Sequence, residues 1–176
     1  MLSFASTLSR NSEALVMFVT EKYDYKDKNR ILSKDLVQKI DLFIKTLKLK
    51  NKDEEINSID ISDQKKCFII KVKNKYENSY FEEIGGSLFT HIKKFKNINS
   101  VDIYADSLNE NKDKIVKFFS EFVFGFNLKS YTFNKYKTLN KEKINKKINF
   151  KIITSHNNKI ENAYKYYNAI KEGVFL

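Results

Sequence analysis

Ala14-Leu15-Val16-Met17-Phe18-Val19 is a run of six apolar residues without a polar break. A half-exposed strand alternates apolar and polar side chains, and an amphipathic helix spaces its apolar residues by three and four. A short unbroken run with β-branched and aromatic members suits a strand covered on both faces. Cys67-Phe68-Ile69-Ile70-Lys71-Val72 reads the same way. Buried strands of this kind suit the sheet of an α/β protein.

Working outward, each such strand is followed by a helical pattern. Ser33 is placed to cap a helix whose stripe is Leu36, Ile40, Phe43, Ile44 and Leu47. Residues 51–57 read as a polar loop, and Ile59 and Ile61 alternate with polar neighbours as on an edge strand. Ser79 and Glu82 form a capping-box pattern ahead of Phe81, Ile84, Leu88, Ile92 and Phe95. Gly85-Gly86 inside that helix costs roughly 1 kcal/mol per glycine relative to alanine, and close approach to a neighbouring helix is the expected return. Ser100 to Ala105 alternates with period two and predicts a strand. Ile115, Val116, Phe118, Phe119, Phe122, Val123 and Phe126 form the strongest helical stripe of the chain. Ile148 to Ile153 predicts a last strand, and Asn157 or Asn158 is placed to cap a last helix carrying Ile160, Ala163, Tyr164, Tyr167 and Ile170. With Leu2 to Ala5 as an opening strand, the order predicts an α/β sandwich on a mixed, largely parallel sheet, formed as a single domain over residues 1–176.

Bulk composition agrees. The chain has 176 residues, 15 Phe and 10 Tyr, and 41% apolar content, enough for a packed core and too much for disorder. Net charge is +11, yet only Arg10 and Arg30 among the 33 basic residues are arginine. Lysine offers a point charge to phosphate but not the planar fork that reads guanine edges, which argues against sequence-specific DNA recognition. The single cysteine, Cys67, excludes an internal disulfide and suits a reducing compartment. No apolar run approaches the 18 or so residues of a membrane span, and the N-terminus carries no secretion pattern. The expectation is a cytoplasmic protein with no membrane partner.

Chemistry-bearing residues are sparse. His91 and His156 are far apart and have no ligand-spaced neighbours. Glu54-Glu55 and Glu82-Glu83 are adjacent pairs, which cannot converge on one metal from a helix. Cys67 opens a strand and reads as a small core residue. No catalytic, metal-ligating or cofactor-binding residue is expected. Lys137, Lys141, Lys143, Lys146, Lys147 and Lys151 are joined by a single acid, Glu142, and follow Tyr131, Phe133 and Tyr136. Charge beside aromatic rings can hold single-stranded nucleic acid through phosphates and stacking. Lys141, Lys143, Lys146 and Lys147 are the candidate contacts for that alternative, while a solvated loop is the simpler expectation.

The segment from Gly125 reads Gly-Phe-Asn-Leu-Lys-Ser130-Tyr131-Thr-Phe133-Asn-Lys-Tyr136-Lys137-Thr. It resembles the segment that closes a helix in the N-terminal domain of leucyl (cytosol) aminopeptidases, where a Gly and an apolar pair precede Ser-Tyr-x-Phe-Asp/Asn-x-Tyr-Lys. Gly173-Val174 is similar to the turn that precedes the catalytic domain in that family. Lys73-Asn74-Lys75-Tyr76 departs from it, standing where a Gly-Leu-Gly type turn is usual. The resemblance implies a three-layer α/β/α sandwich similar to macro domains. It implies packing roles for Gly125, Ser130, Tyr131, Phe133, Tyr136 and Lys137. It also implies a parent enzyme that removes N-terminal residues with two divalent metals, zinc or manganese. The metal ligands and the Asn-Thr-Asp-Ala-Glu-Gly-Arg-Leu signature of that family match nothing in this chain. By the resemblance, the domain docks on the catalytic domain of the same polypeptide and helps assemble a homo-oligomer, a hexamer, and is inactive as a peptidase alone.

Overall fold

The computed structural model describes residues 2–50, 54–77, 79–130 and 148–174. In chain order the elements are β1 (Leu2–Ala5), β2 (Ala14–Val19), α1 (Lys34–Lys50), β3 (Ile56–Ser62), β4 (Lys65–Lys71), α2 (Tyr80–Lys93) and β5 (Ser100–Tyr104). A short 3-10 turn (Ala105–Ser107), α3 (Lys112–Ser130), β6 (Asn149–Ile153) and α4 (Asn157–Val174) complete them.

The six strands form one sheet in the order β1-β6-β5-β2-β4-β3. Every neighbouring pair is parallel except β3 with β4. The β2 run behaves as its composition requires. Ala14, Val16 and Phe18 enter a core shared with α2, α3 and α4, and Leu15, Met17 and Val19 enter a second core under α1. The fold is therefore a mixed, mostly parallel α/β sandwich in three layers.

Aromatic packing fills the larger core. Phe18 meets the rings of Phe118, Phe119 and Phe122 edge-on, with centroids 4.9 to 5.5 Å apart. Edge-to-face pairs of this kind add about 0.5–1.5 kcal/mol beyond area burial. In the smaller core Ile40, Ile44 and Leu32 close over Cys67, Ile69 and Tyr104.

Several local expectations need correction. The predicted loop 51–57 is shorter, because Ile56 and Asn57 already pair with Ile70 and Ile69 of β4. Ser33 caps α1 as its position suggests, its Oγ accepting from the Leu36 amide at 3.3 Å. Ser79 does not close a capping box. Its backbone is already helical (φ −87°, ψ −5°), so its hydroxyl cannot turn back over the first amides; it donates to Glu83 Oε1 instead, at 2.6 Å. Neither Asn157 nor Asn158 caps α4. The helix starts at Asn157, and the Lys159 and Ile160 amides donate to the carbonyl of His156.

β5 forms where the alternation predicts a strand, but the alternation marks no solvent face. The strand sits between β2 and β6, and Val101 to Tyr104 are all buried, Asp102 included. Asp102 is accommodated because the loop before β2 supplies donors. Its carboxylate accepts from the Ser9 amide at 2.6 Å and the Ser9 hydroxyl at 2.9 Å.

Candidate functional site

The segment from Gly125 starts at a contact between two helices. A Cβ placed on Gly125 of α3 would lie 2.0 Å from the Glu82 carbonyl oxygen of α2, and one on Gly85 would lie 2.1 Å from the Phe122 carbonyl oxygen. No real methyl group fits at such distances, so α2 and α3 meet backbone to backbone because both positions lack a side chain. Gly86 differs. Its Cβ would stand 3.7 Å from the Gly125 carbonyl, an ordinary contact. Ser130 is the exposed last residue of α3, and its hydroxyl donates to the Asn127 carbonyl at 2.8 Å. The Asn127 side-chain amide donates to the Tyr164 hydroxyl at 2.6 Å, tying α3 to α4. Tyr131, Phe133, Tyr136, Lys137, Lys141, Lys143, Lys146 and Lys147 lie outside the described residues.

Above the crossing is an open groove of about 620 Å³ between α2 and α3, lined by Glu82, Gly86, Ser87, His91, Gly125 and Leu128. Burial, with Glu121 and Glu83 nearby, raises the pKa of the Glu82 carboxyl. Glu121 is buried beside it and accepts from the Tyr167 hydroxyl of α4 at 3.1 Å. His91 stays within its own helix, its Nδ1 lying 3.0 Å from the Ser87 carbonyl.

The remaining polar groups are mostly structural. Lys65 Nζ donates to Ser12 Oγ at 2.7 Å, and Lys151 Nζ donates to Ser9 Oγ at 2.7 Å, both beside Asp102. A serine held by a lysine can serve as a nucleophile, but Ser12 is 4% exposed, so no substrate reaches it. Burial lowers the Lys65 pKa and raises that of the Cys67 thiol to about 12, leaving Cys67 an inert core residue. Among the described residues no three His, Cys, Asp or Glu side chains are grouped to hold a metal ion, so they do not fit a two-metal peptidase centre. None of their helices is long and apolar enough to cross a membrane.

A second concavity, about 260 Å³, opens at the carboxyl ends of the parallel strands. Lys26, Asp106, Leu108, Lys112, Ser155 and His156 are among the residues lining it. Asp106 follows β5 and stitches it to β6: it accepts from Thr154 Oγ1 at 2.6 Å and from the Ser155 amide and hydroxyl, each at 2.8 Å. Sequence reasoning passed over Asp106 and Asp102. An acid just after a predicted strand is a usable signal for Asp106, whereas the alternation carries no signal that Asp102 is buried. All four glycines of the chain lie in helices, so no loop here carries one.

Comparison with known proteins gives a consistent picture. A family model described as the N-terminal domain of the cytosol aminopeptidase family matches residues 16–140. No curated protein matches the chain in sequence. Among solved structures, a mutant of tomato leucine aminopeptidase is similar with a TM-score of 0.70 and 14% identity, over 99% of this chain and 36% of that one. The chain thus spans little more than a third of the length of that enzyme. The macrodomain of Thermus aquaticus DarG is similar with a TM-score of 0.58 and 13% identity, over 88% of this chain and 98% of that one. At such identities both likenesses concern the fold, which is macro-domain-like.

Proposed function

The chain belongs to the cytosol aminopeptidase family, as its N-terminal domain, and from that membership we propose that it is a non-catalytic domain that docks on the peptidase's catalytic domain and aids oligomer assembly. The observation that carries this reading is the extent of the match. The domain model takes in residues 16–140, and nearly all of the chain aligns with a minor part of a leucine aminopeptidase.

In this reading the partner is the catalytic domain of the same polypeptide, in a cytoplasmic homo-oligomer. Zinc or manganese serves in that domain, where a metal pair polarises the scissile carbonyl and activates a water. This chain supplies surface. Tyr166 and Ile170, one turn apart on α4, are 70% and 40% exposed, and exposed aromatic and aliphatic side chains of this kind suit the apolar centre of an interface.

The test is to mix this chain with a separately produced catalytic domain of the enzyme and follow mass by light scattering. Co-elution in an assembly, weakened at least tenfold by the double change Tyr166→Ala and Ile170→Ala, supports docking. Hydrolysis of leucine p-nitroanilide by this chain alone with Mn²⁺ or Zn²⁺ would overturn the non-catalytic reading. Absence of docking, together with salt-sensitive binding of single-stranded nucleic acid, would favour a basic binding module instead.

A further inference from the structure

We propose that the crevice at the carboxyl ends of β2, β5 and β6 binds a small phosphate-bearing anion through Lys26, Lys28 and Lys112. The inference is separate from the docking role and stands on the place, the walls and the charge of that crevice.

The place is a topological switch point. From β2 the chain passes under α1 toward the β4 side of the sheet, and from β5 it passes over α3 toward β6. Open α/β sheets hold ligands where connections diverge in this way. The walls are preformed. The Lys26 amide donates to the Ser107 carbonyl at 2.9 Å, and the Ser107 hydroxyl accepts from the Phe18 amide at 2.9 Å. The loop after β2 is thereby fastened to the turn after β5, with the start of α3 and the two residues ahead of α4, Ser155 and His156, across the opening.

The charge is unbalanced in one direction. Two carboxylates line the crevice and both are engaged: Asp106 by Thr154 and Ser155, and Glu110 by Lys114 Nζ at 3.2 Å. Lys26, Lys28 and Lys112 line it too, and none forms an ion pair among the described residues. Lys112 also has Lys159 of α4 as a neighbour, and that like charge pushes its pKa down. Lys112 opens α3, whose first turn also carries Asp113, and Lys159 lies in the first turn of α4, which has no acid. Lysine at a helix start opposes the dipole, whereas an anion in the crevice would meet the start of α3 and the ammonium groups together.

Size and loop chemistry define the class. The 260 Å³ volume falls below the roughly 300–1,000 Å³ of pockets for larger ligands, so inorganic phosphate or a small phosphomonoester fits and a dinucleotide does not. Without a loop glycine the backbone cannot wrap a pyrophosphate closely, so side chains must supply the grip.

The experiment is a titration of the chain with inorganic phosphate at constant ionic strength, read by amide ¹H–¹⁵N shifts. We expect saturable shifts at Lys112, Asp113, His156 and Asn157 that chloride does not reproduce. The double change Lys26→Glu and Lys112→Glu should weaken binding at least tenfold. If that variant does not fold, Lys26→Gln with Lys112→Gln serves, with a loss of several-fold. Changing Lys141, Lys143, Lys146 and Lys147 to Glu should leave the affinity within twofold. No saturable shift, equal affinity in the crevice variants, or loss of binding only in the second set of variants would each overturn the proposal.

Discussion

Three glycines within two helices make unequal demands, and the difference is measurable. Gly85 and Gly125 stand where a methyl group would enter a neighbouring backbone carbonyl, and backbone cannot rotate away as a long side chain can. Gly85→Ala and Gly125→Ala should each lose about 1–3 kcal/mol or more, the usual cost of forced expansion in a packed interior. Gly86 meets only ordinary contacts. Gly86→Ala should be neutral or stabilising by up to about 1 kcal/mol, since alanine is the better helix former. Denaturant melts of the three variants decide this, and equal destabilisation by all three would refute the backbone contact. Asp102 is a second residue whose role lies in its surroundings. Asp102→Ala removes two bonds to Ser9 in a buried place and should cost roughly 3 kcal/mol in the same melts. The glycine pair announced a close approach in the sequence, but which glycine makes it depends on how α3 faces α2. Asp102 was illegible for a related reason: a period-two pattern marks a solvent face only if the strand has one, and strand order is not written in local spacing.

At the scale of elements, the stripes were legible and the ends were not. Leu36, Ile40, Ile44 and Leu47, and likewise Phe81, Ile84, Leu88 and Ile92, form the inward faces of α1 and α2, because burial is a sum over many side chains that periodicity reports directly. A cap depends instead on the backbone angles of one residue. Ser33 and Ser79 look alike in sequence, yet only Ser33 accepts a first-turn amide. Ser33→Ala should therefore cost about 1 kcal/mol. Ser79→Ala should cost less than half of that, because it loses an exposed bond to Glu83 and no cap. Equal losses for the two, measured by thermal melts, would mean that Ser79 caps α2 in solution. The β2 and β4 runs were legible for a different reason: six consecutive apolar side chains in β2 and four in β4 cannot all be hidden unless both faces of the sheet are covered. The crevice at the strand ends was not legible, since it joins residues from the 20s, the 100s and the 150s.

Across the whole molecule, tyrosine hydroxyls fasten elements to one another, and their ionisation sets an alkaline limit on stability. Tyr25 donates to Asp41 at 2.7 Å, joining the loop after β2 to α1, and Tyr104 donates to Asp27 at 2.8 Å, joining β5 to that same loop. Tyr167 donates to Glu121 and joins α4 to α3. Burial, then the adjacent carboxylates, raises the pKa of Tyr25 and Tyr104, and burial beside Glu121 raises that of Tyr167 to about 12. Cys67 is raised to about 12 by burial. For a group whose folded pKa exceeds its unfolded value, the contribution to stability is whole below the unfolded value and is lost as pH rises through the folded one. The unfolded values are near 10 for tyrosine and 9 for cysteine, so the loss starts there and deepens toward pH 12. Lys65, lowered by burial, and Lys112, lowered by Lys159, work in the opposite direction, because loss of their protons favours the folded chain, but they are two groups against several. The melting midpoint should therefore stay level from pH 7 to 9 and fall steeply between 10 and 12. Tyr167→Phe should lower the midpoint at pH 7 by removing the bond to Glu121, and should make the alkaline fall shallower by removing one ionising group. A midpoint that holds to pH 12, or a variant whose alkaline slope equals that of the parent, would show that these hydroxyls are not the fastenings that fail.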